Sequence, residues 1–183
     1  MSMDGLARFQ ALFRGQRARK LHVTRVQKDL PWSPYLPCKP DAAATMLALA
    51  KAGPTDTLLD IGSGDGRIVF AAVAPPFGVA KAIGVDIDDA LIRHAQKDPR
   101  CTPATLFLWS DWVDVDLSSV SVITLFFLPH KSIASLLRAK CKPGTRVVTY
   151  VFPIADWTPV ATATTVAFLS ATGTSPVYLY LVP

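Results

Sequence analysis

Asp60-Ile61-Gly62-Ser63-Gly64-Asp65-Gly66-Arg67 is the stretch on which the fold turns. Thr57-Leu58-Leu59 precedes it and, with Asp60-Ile61, reads as a buried strand, while Ile68 to Ala74 reads as the helix that follows. Between them the alternating glycines let the backbone turn sharply and come close to a ligand where any side chain would clash. A dinucleotide fingerprint, G-x-G-x-x-G, needs glycine at position 67 and a helix start left free for pyrophosphate. Here that position is Arg67, and Asp65 puts a negative charge where a phosphate would sit. A strand-end acid and a second acid inside the loop suit a cationic ligand without phosphate. S-adenosylmethionine, which carries an ammonium and a sulfonium, meets both conditions, so methyl transfer is the expected chemistry.

Working outward, the same alternation repeats. Pro75-Pro76 breaks the helix, and Ala82 to Ile87 reads as a second buried strand ending on an acid. Ala90 to Lys97 continues as a helix, with Asp88 and Asp89 at its start. Thr105 to Trp109 gives a third strand, the almost wholly apolar Val120 to Phe127 a fourth, and Arg146 to Phe152 a fifth. Ile133, Leu136 and Leu137 mark the helix before the last of these. Between Phe152 and Thr164 the chain is too short and too rich in proline for a crossover helix. Thr164 to Ser170 and Val177 to Val182 then flank a Thr-Gly-Thr-Ser-Pro turn as a hairpin. The expected fold is α/β: a Rossmann-like, doubly wound sheet of about seven strands closed by an antiparallel C-terminal hairpin.

Upstream, Asp41 is expected to cap a helix through Met46, Leu47 and Leu49 that Gly53-Pro54 ends. Before it, Pro31, Pro34, Pro37 and Pro40 with Trp32 and Tyr35 predict an extended collar lying across apolar surface. Residues 1–31 read as a basic N-terminal segment and 32–183 as one methyltransferase domain, within the usual domain size. The formal charge of +5 is local, because residues 1–39 hold eight Lys or Arg against two Asp. The remainder has 11 basic and 12 acidic residues, a near-neutral body that counts against nucleic acid as partner. Leu6, Phe9, Leu12 and Phe13 fall at helical spacing among Arg8, Arg14, Arg17, Arg19 and Lys20. Such a segment serves as a mitochondrial targeting sequence, a membrane-surface helix or a solvated tail; the expected address is the mitochondrion, with the cytoplasm as alternative. No apolar run reaches the roughly 18 residues of a membrane span. Cys38, Cys101 and Cys141 lack C-x-x-C spacing and the three histidines lack ligand spacing, so free thiols and no metal are expected.

The chemistry is expected at the strand tips, which line one crevice in an open parallel sheet. Asp60 suits the donor's ammonium, Asp86 its ribose hydroxyls through two carboxylate oxygens, and Asp111 its adenine amine. Gly62, Ser63, Gly64, Gly66 and Ile87 complete the expected donor set. After the fourth strand, Phe127-Leu128-Pro129-His130 faces the methyl group in this topology. Leu128 offers a backbone carbonyl to an incoming amine, Pro129 shapes the corner, and His130 either contacts the acceptor or caps the next helix. The Asn/Asp-Pro-Pro-aromatic motif usual in enzymes that methylate base amines is absent.

From about Trp32 to its end the chain resembles the small seven-strand methyltransferases related to the mitochondrial lysine methyltransferases of ATP synthase c subunit and adenine nucleotide translocator, and their bacterial relatives. The resemblance rests on Pro34-Tyr35-Leu36-Pro37, the loop from Asp60 to Val69, Phe127-Leu128-Pro129, Phe152-Pro153, and Asp156-Trp157-Thr158-Pro159. It implies a donor-dependent protein-lysine N-methyltransferase in which the collar, with Tyr35, closes over S-adenosylmethionine and Trp157 lies near the open edge. Those mitochondrial relatives carry a hydrophobic membrane segment before the collar, and residues 1–31 contain no run of that kind. The rival expectations are a small-molecule or nucleic-acid methyltransferase with the same donor site, or a donor-binding interaction protein without catalysis.

Overall fold

The central apolar runs at residues 58–61, 82–85 and 122–125 become strands covered on both faces, whereas Thr105–Trp109 at the sheet's edge keeps Leu106 and Trp109 exposed. The computed structural model describes residues 35–127 and 132–183. The basic N-terminal segment, Trp32, and the corner residues Leu128, Pro129 and His130 lie outside the described residues. In chain order the elements are α1 (Pro40–Leu49), β1 (Thr57–Ile61), α2 (Arg67–Val73), β2 (Lys81–Asp86), α3 (Asp89–Gln96), β3 (Thr105–Trp109), a single 3-10 turn (Trp112–Asp114), β4 (Val122–Leu125), α4 (Ile133–Lys140), β5 (Arg146–Tyr150), β6 (Ala161–Val166) and β7 (Thr174–Leu181).

The strands form one sheet in the order β3-β2-β1-β4-β5-β7-β6. All neighbouring pairs from β3 to β5 are parallel, whereas β7 runs antiparallel to both β5 and β6. The expected doubly wound sheet with a reversed strand near one edge is therefore the observed one. Successive residues point to opposite faces. Leu58, Ala82, Val122 and Val148 join a core with Met46 and Leu47 of α1 and Ile68, Val69 and Phe70 of α2. Leu59, Ile83, Ile123 and Val147 join a second core with Ile133 and Leu137 of α4. Each fully buried Leu or Ile contributes roughly 1.5–3 kcal/mol, so the two cores hold the sheet from both sides.

Three expectations need correcting. Asp41 does not cap α1: Lys39 takes the cap position with extended backbone, and Pro40 sits in the first turn, where a missing N–H costs nothing. Asp41 falls one place later and complements the helix dipole. β6 begins three residues earlier than expected, because Ala161 to Val166 pair with β7 while Ala167 to Ser170 pass into the turn. The predicted fourth strand is trimmed to Val122–Leu125. The missing crossover is borne out. Among the described residues no helix lies between β5 and β6; Ile154 and Trp157 cover the sheet instead, with the Trp157 ring 6.0 Å from that of Tyr180 and the Arg138 guanidinium 5.6 Å from Trp157.

Candidate active site

The strand order reverses at the β1–β4 boundary, and an open sheet of this kind binds ligands at the carboxyl ends flanking that reversal. Asp60 belongs to β1 itself, one residue before its end, and is the register partner of Thr124 on β4. Its carboxylate is buried, and Thr124 Oγ1 donates to Asp60 Oδ1 at 2.7 Å. Burial, with the nearby charges of Asp86 and Asp65, pushes the carboxyl up to about 7 against the opposing pull of Thr124. A buried carboxylate so short of compensation suits a cationic group rather than an anionic one.

After Ile61 the chain leaves the sheet over β2. Gly62 N and Ser63 N both donate to Val85 O, at 2.8 and 3.1 Å, and Gly66 N closes the turn on Ser63 O at 2.9 Å. Gly64 and Gly66 have φ of 55° and 81°, left-handed values that favour glycine. Gly66 is also the cap residue of α2 and makes no side-chain cap. Asp86 closes β2 and braces this loop: its Oδ2 accepts from Gly64 N at 2.8 Å and its Oδ1 from Asp88 N at 2.9 Å. Each carboxylate oxygen can accept a further hydrogen bond, so these two bonds do not use up the accepting capacity expected of Asp86. Burial raises the Asp86 carboxyl above its usual range, partly offset by those two N–H bonds. Ile87 follows, half-buried, and its carbonyl accepts from the indole Nε1 of Trp109 at 3.2 Å.

Asp86 and Asp65 lie close enough for their charges to act on Asp60, while Asp111 stands one strand further along, past the end of β3 that pairs with Asp86. Asp111 lies two residues past β3 and accepts from Val113 N at 3.1 Å, capping the 3-10 turn. Its link to the others is through the backbone, where Ser110 N donates to Asp86 O at 3.1 Å. Ser63 turns its side chain inward: Oγ is buried without a hydrogen-bond partner and lies 2.7 Å from where a Cβ on Gly84 would stand. Asp88 and Asp89 start α3 as expected, with Asp88 Oδ1 accepting from Ala90 N and Leu91 N.

One contributor escapes the sequence reading. Phe107 lies beneath the loop, so that a Cβ on Gly66 or on Gly84 would meet its ring at 2.6 and 2.8 Å. Phe127, which the sequence reading put in this corner, stands two residues past β4, and a Cβ on Gly62 would lie 3.4 Å from its ring. Tyr35 lays its ring on Gly64, and burial followed by the charge of Asp65 pushes its phenol up to about 12, so it stays protonated at neutral pH. Apart from the crevice, a groove of about 450 Å³ is formed by Ala134, Ser135, Arg138, Ala139, Asp156 and Trp157; it contains none of the strand-end acids. Among the described residues no cluster could hold a metal ion, and no helix is long and apolar enough to cross a membrane. The three cysteines are unpaired.

Residues 60–161, more than half of the chain and including the whole glycine loop, match the model of the ANTKMT methyltransferase domain. The chain belongs to this family. It is an S-adenosylmethionine-dependent methyltransferase, and the residues that fit the donor are those at the sheet reversal: Asp60 for a cation, Asp86 with spare lone pairs, and the bare backbone of Gly62 and Gly64. When bound, the donor supplies an activated methyl on a positively charged sulfur. A protein-lysine N-methyltransferase of Saccharolobus islandicus is 36% identical over 135 residues, covering 71% of this chain and 83% of that protein. The adenine nucleotide translocase lysine N-methyltransferase of Mus musculus is 29% identical over 70% of this chain, which spans 57% of the mouse protein. Among solved structures, an RNA methyltransferase from Salinibacter ruber in complex with S-adenosyl-L-homocysteine superposes with a TM-score of 0.68 at 31% identity, over 84% of this chain and 94% of that one.

Proposed function

We propose that this methyltransferase transfers the methyl group of S-adenosylmethionine to a lysine side chain of a protein, residues 32–183 being its catalytic domain. The observation that carries the proposal is the similarity, over most of both chains, to the Saccharolobus islandicus protein-lysine N-methyltransferase. The donor is held by Asp60 at its ammonium, Asp86 and Ile87 at the ribose, Asp111 at the adenine, and the loop Gly62, Ser63, Gly64 and Gly66 along its length. Leu128, Pro129 and His130 are assigned to the acceptor amine from the sequence, and Tyr35 is assigned to act with them.

Methyl transfer is an in-line displacement in which alignment supplies most of the acceleration. A lysine amine with a reference pKa near 10.4 costs on the order of 4 kcal/mol to present uncharged at neutral pH. The apolar rings of Tyr35 and Phe127 desolvate the ammonium, and the donor's own sulfonium repels it, so both effects favour the neutral nucleophile. No dedicated base is needed, which suits a Tyr35 phenol that keeps its proton.

A second acceptor class has a specific observation behind it, the likeness to the RNA methyltransferase of Salinibacter ruber. Incubating the purified protein with methyl-labelled donor and fractionated extracts separates the two. Label that survives ribonuclease, disappears with protease and maps to methylated lysine by mass spectrometry supports the proposal; label lost to ribonuclease overturns it. The mitochondrial address belongs to the same proposal and rests on the basic, amphipathic residues 1–20. Residues 1–31 fused to a fluorescent protein should reach mitochondria, and a diffuse cytosolic signal rejects that address.

A further inference from the structure

One side chain joins the collar to the glycine loop. Arg67 opens α2, and its guanidinium reaches back across the loop. Nε and Nη2 fork the Asp65 carboxylate at 2.9 and 2.5 Å, Nη1 donates to the Cys38 carbonyl at 2.5 Å, and Nη2 lies 3.4 Å from the Tyr35 hydroxyl. The Asp65 carboxyl, though raised by burial, is held below its ordinary value overall by this fork, and the Arg67 guanidinium is raised by the same bonds. The Tyr35 ring then rests on Gly64 so closely that a Cβ there would stand 2.3 Å from Cε2. The same Gly64 donates its N–H to Asp86. At the far end of the collar, Lys39 Nζ donates to Ala167 O and Ser170 O at 2.8 and 3.0 Å. The span from Tyr35 to Cys38 is thus tied down beside Lys39 and again by Arg67.

We propose that Arg67 is a positioning residue, the latch that holds the Tyr35–Cys38 collar shut over the glycine loop, and that an occupied donor site favours the shut state; the second part rests on the donor reading of the crevice. The chemistry fits a latch rather than a permanent tie. The Arg67 and Asp65 side chains keep 32% and 25% of their surface exposed, so their pair is partly screened and release strands no buried charge. The freed Cys38 carbonyl would be satisfied by water. The guanidinium spreads its donors over three nitrogens, so that Nε and Nη2 take Asp65 while Nη1 reaches the Cys38 carbonyl; a lysine ammonium, with all its donors on one atom, does not reproduce that spacing.

The protein carries its own reporters. Cys38 is 3% exposed and burial, followed by the charge of Asp60, pushes its thiol up to about 12, so alkylation there requires the collar to lift. Cys141 is also buried but lies at the end of α4, outside the collar, and Cys101 is exposed. Alkylation of the full chain with iodoacetamide, read at each cysteine by mass spectrometry, should show Cys38 labelled at least tenfold faster in Arg67→Lys than in the native protein, with Cys141 and Cys101 unchanged. Equal acceleration at Cys141 would mean general loosening and overturn the latch, as would no change at Cys38. Saturating S-adenosyl-L-homocysteine should slow Cys38 labelling at least tenfold in the native protein and much less in Arg67→Lys. If calorimetry shows the nucleoside bound and Cys38 labelling does not slow, coupling to the site is refuted. If it does not bind at all, the donor reading fails and the coupling with it, while the Arg67→Lys comparison still decides the latch.

Discussion

Asp60 and Thr124 face each other across the boundary at which the strand order reverses, and a single 2.7 Å hydrogen bond from Thr124 Oγ1 is the neutral partner that the buried carboxylate has there. An acid in this position costs stability. Its carboxyl is pushed from 3.8 up to about 7, by burial first and then by Asp86 and Asp65. Between those values the unfolded chain has lost a proton that the folded chain keeps, so folding stability contributed by this group falls as pH rises through that window. The loss is complete above about pH 7, on the order of 4 kcal/mol. Asp60→Asn, neutral at every pH, should therefore unfold in urea much like the native protein at pH 4 and be more stable by roughly 2–4 kcal/mol at pH 8. The same variant should lose donor affinity by at least tenfold at pH 8. Equal urea midpoints for Asp60→Asn and the native protein at pH 8 would refute the buried-charge account.

Asp86 has a different task, since both of its oxygens are already engaged by Gly64 N and Asp88 N. An amide in its place accepts at only one atom and turns an NH2 towards one of those N–H groups. Asp86→Asn should weaken S-adenosyl-L-homocysteine binding at least tenfold in calorimetry, through the proposed ribose contact and the loosened loop together. Asp86→Ala should do so more strongly. Unchanged affinity in either variant removes Asp86 from the donor site.

Much of this arrangement is legible in the chain because its signals are local. β1, β2 and β4 are covered on both faces and so appear as apolar runs, and the glycine loop must follow one of them. The parts that are not legible depend on contacts between distant residues. Nothing local marks Gly84 as the point where Ser63 and Phe107 both press on β2, or Arg67 as the partner of the Cys38 carbonyl 29 positions earlier. β6 is misplaced for a related reason. Ala161 to Thr165 alternates small apolar and hydroxyl residues, a weak pattern that becomes a strand through its pairing with β7.

The opposite end of the sheet offers a control. Asp56 precedes β1 and accepts from Gly53 N at 2.9 Å and Ser121 Oγ at 2.8 Å, while pairing with Arg146, whose Nη1 also reaches Ala50 O at 2.7 Å. These bonds join the starts of β1, β4 and β5, far along the strands from the donor crevice. Asp56→Ala leaves the Arg146 charge without its partner and should cost on the order of 3 kcal/mol in urea denaturation. Donor affinity of the folded protein should stay within twofold. A large loss of affinity would mean that the two ends of the sheet are coupled in a way these contacts do not describe.

The packing of Tyr35 on Gly64 is testable by a double-mutant cycle. Gly64→Ala introduces a Cβ that overlaps the Tyr35 ring and also forces alanine into a backbone with φ of 55°. The first cost depends on Tyr35 and the second does not. Gly64→Ala should destabilise the native protein by roughly 2–3 kcal/mol, but by only about 1 kcal/mol in a Tyr35→Ala background, where backbone strain alone remains. The interaction energy between the two sites is then about 1–2 kcal/mol and reads directly on the collar. Should the two substitutions prove additive, the ring does not rest on the glycine loop in solution, and the collar contacts of Tyr35 would have to be discarded.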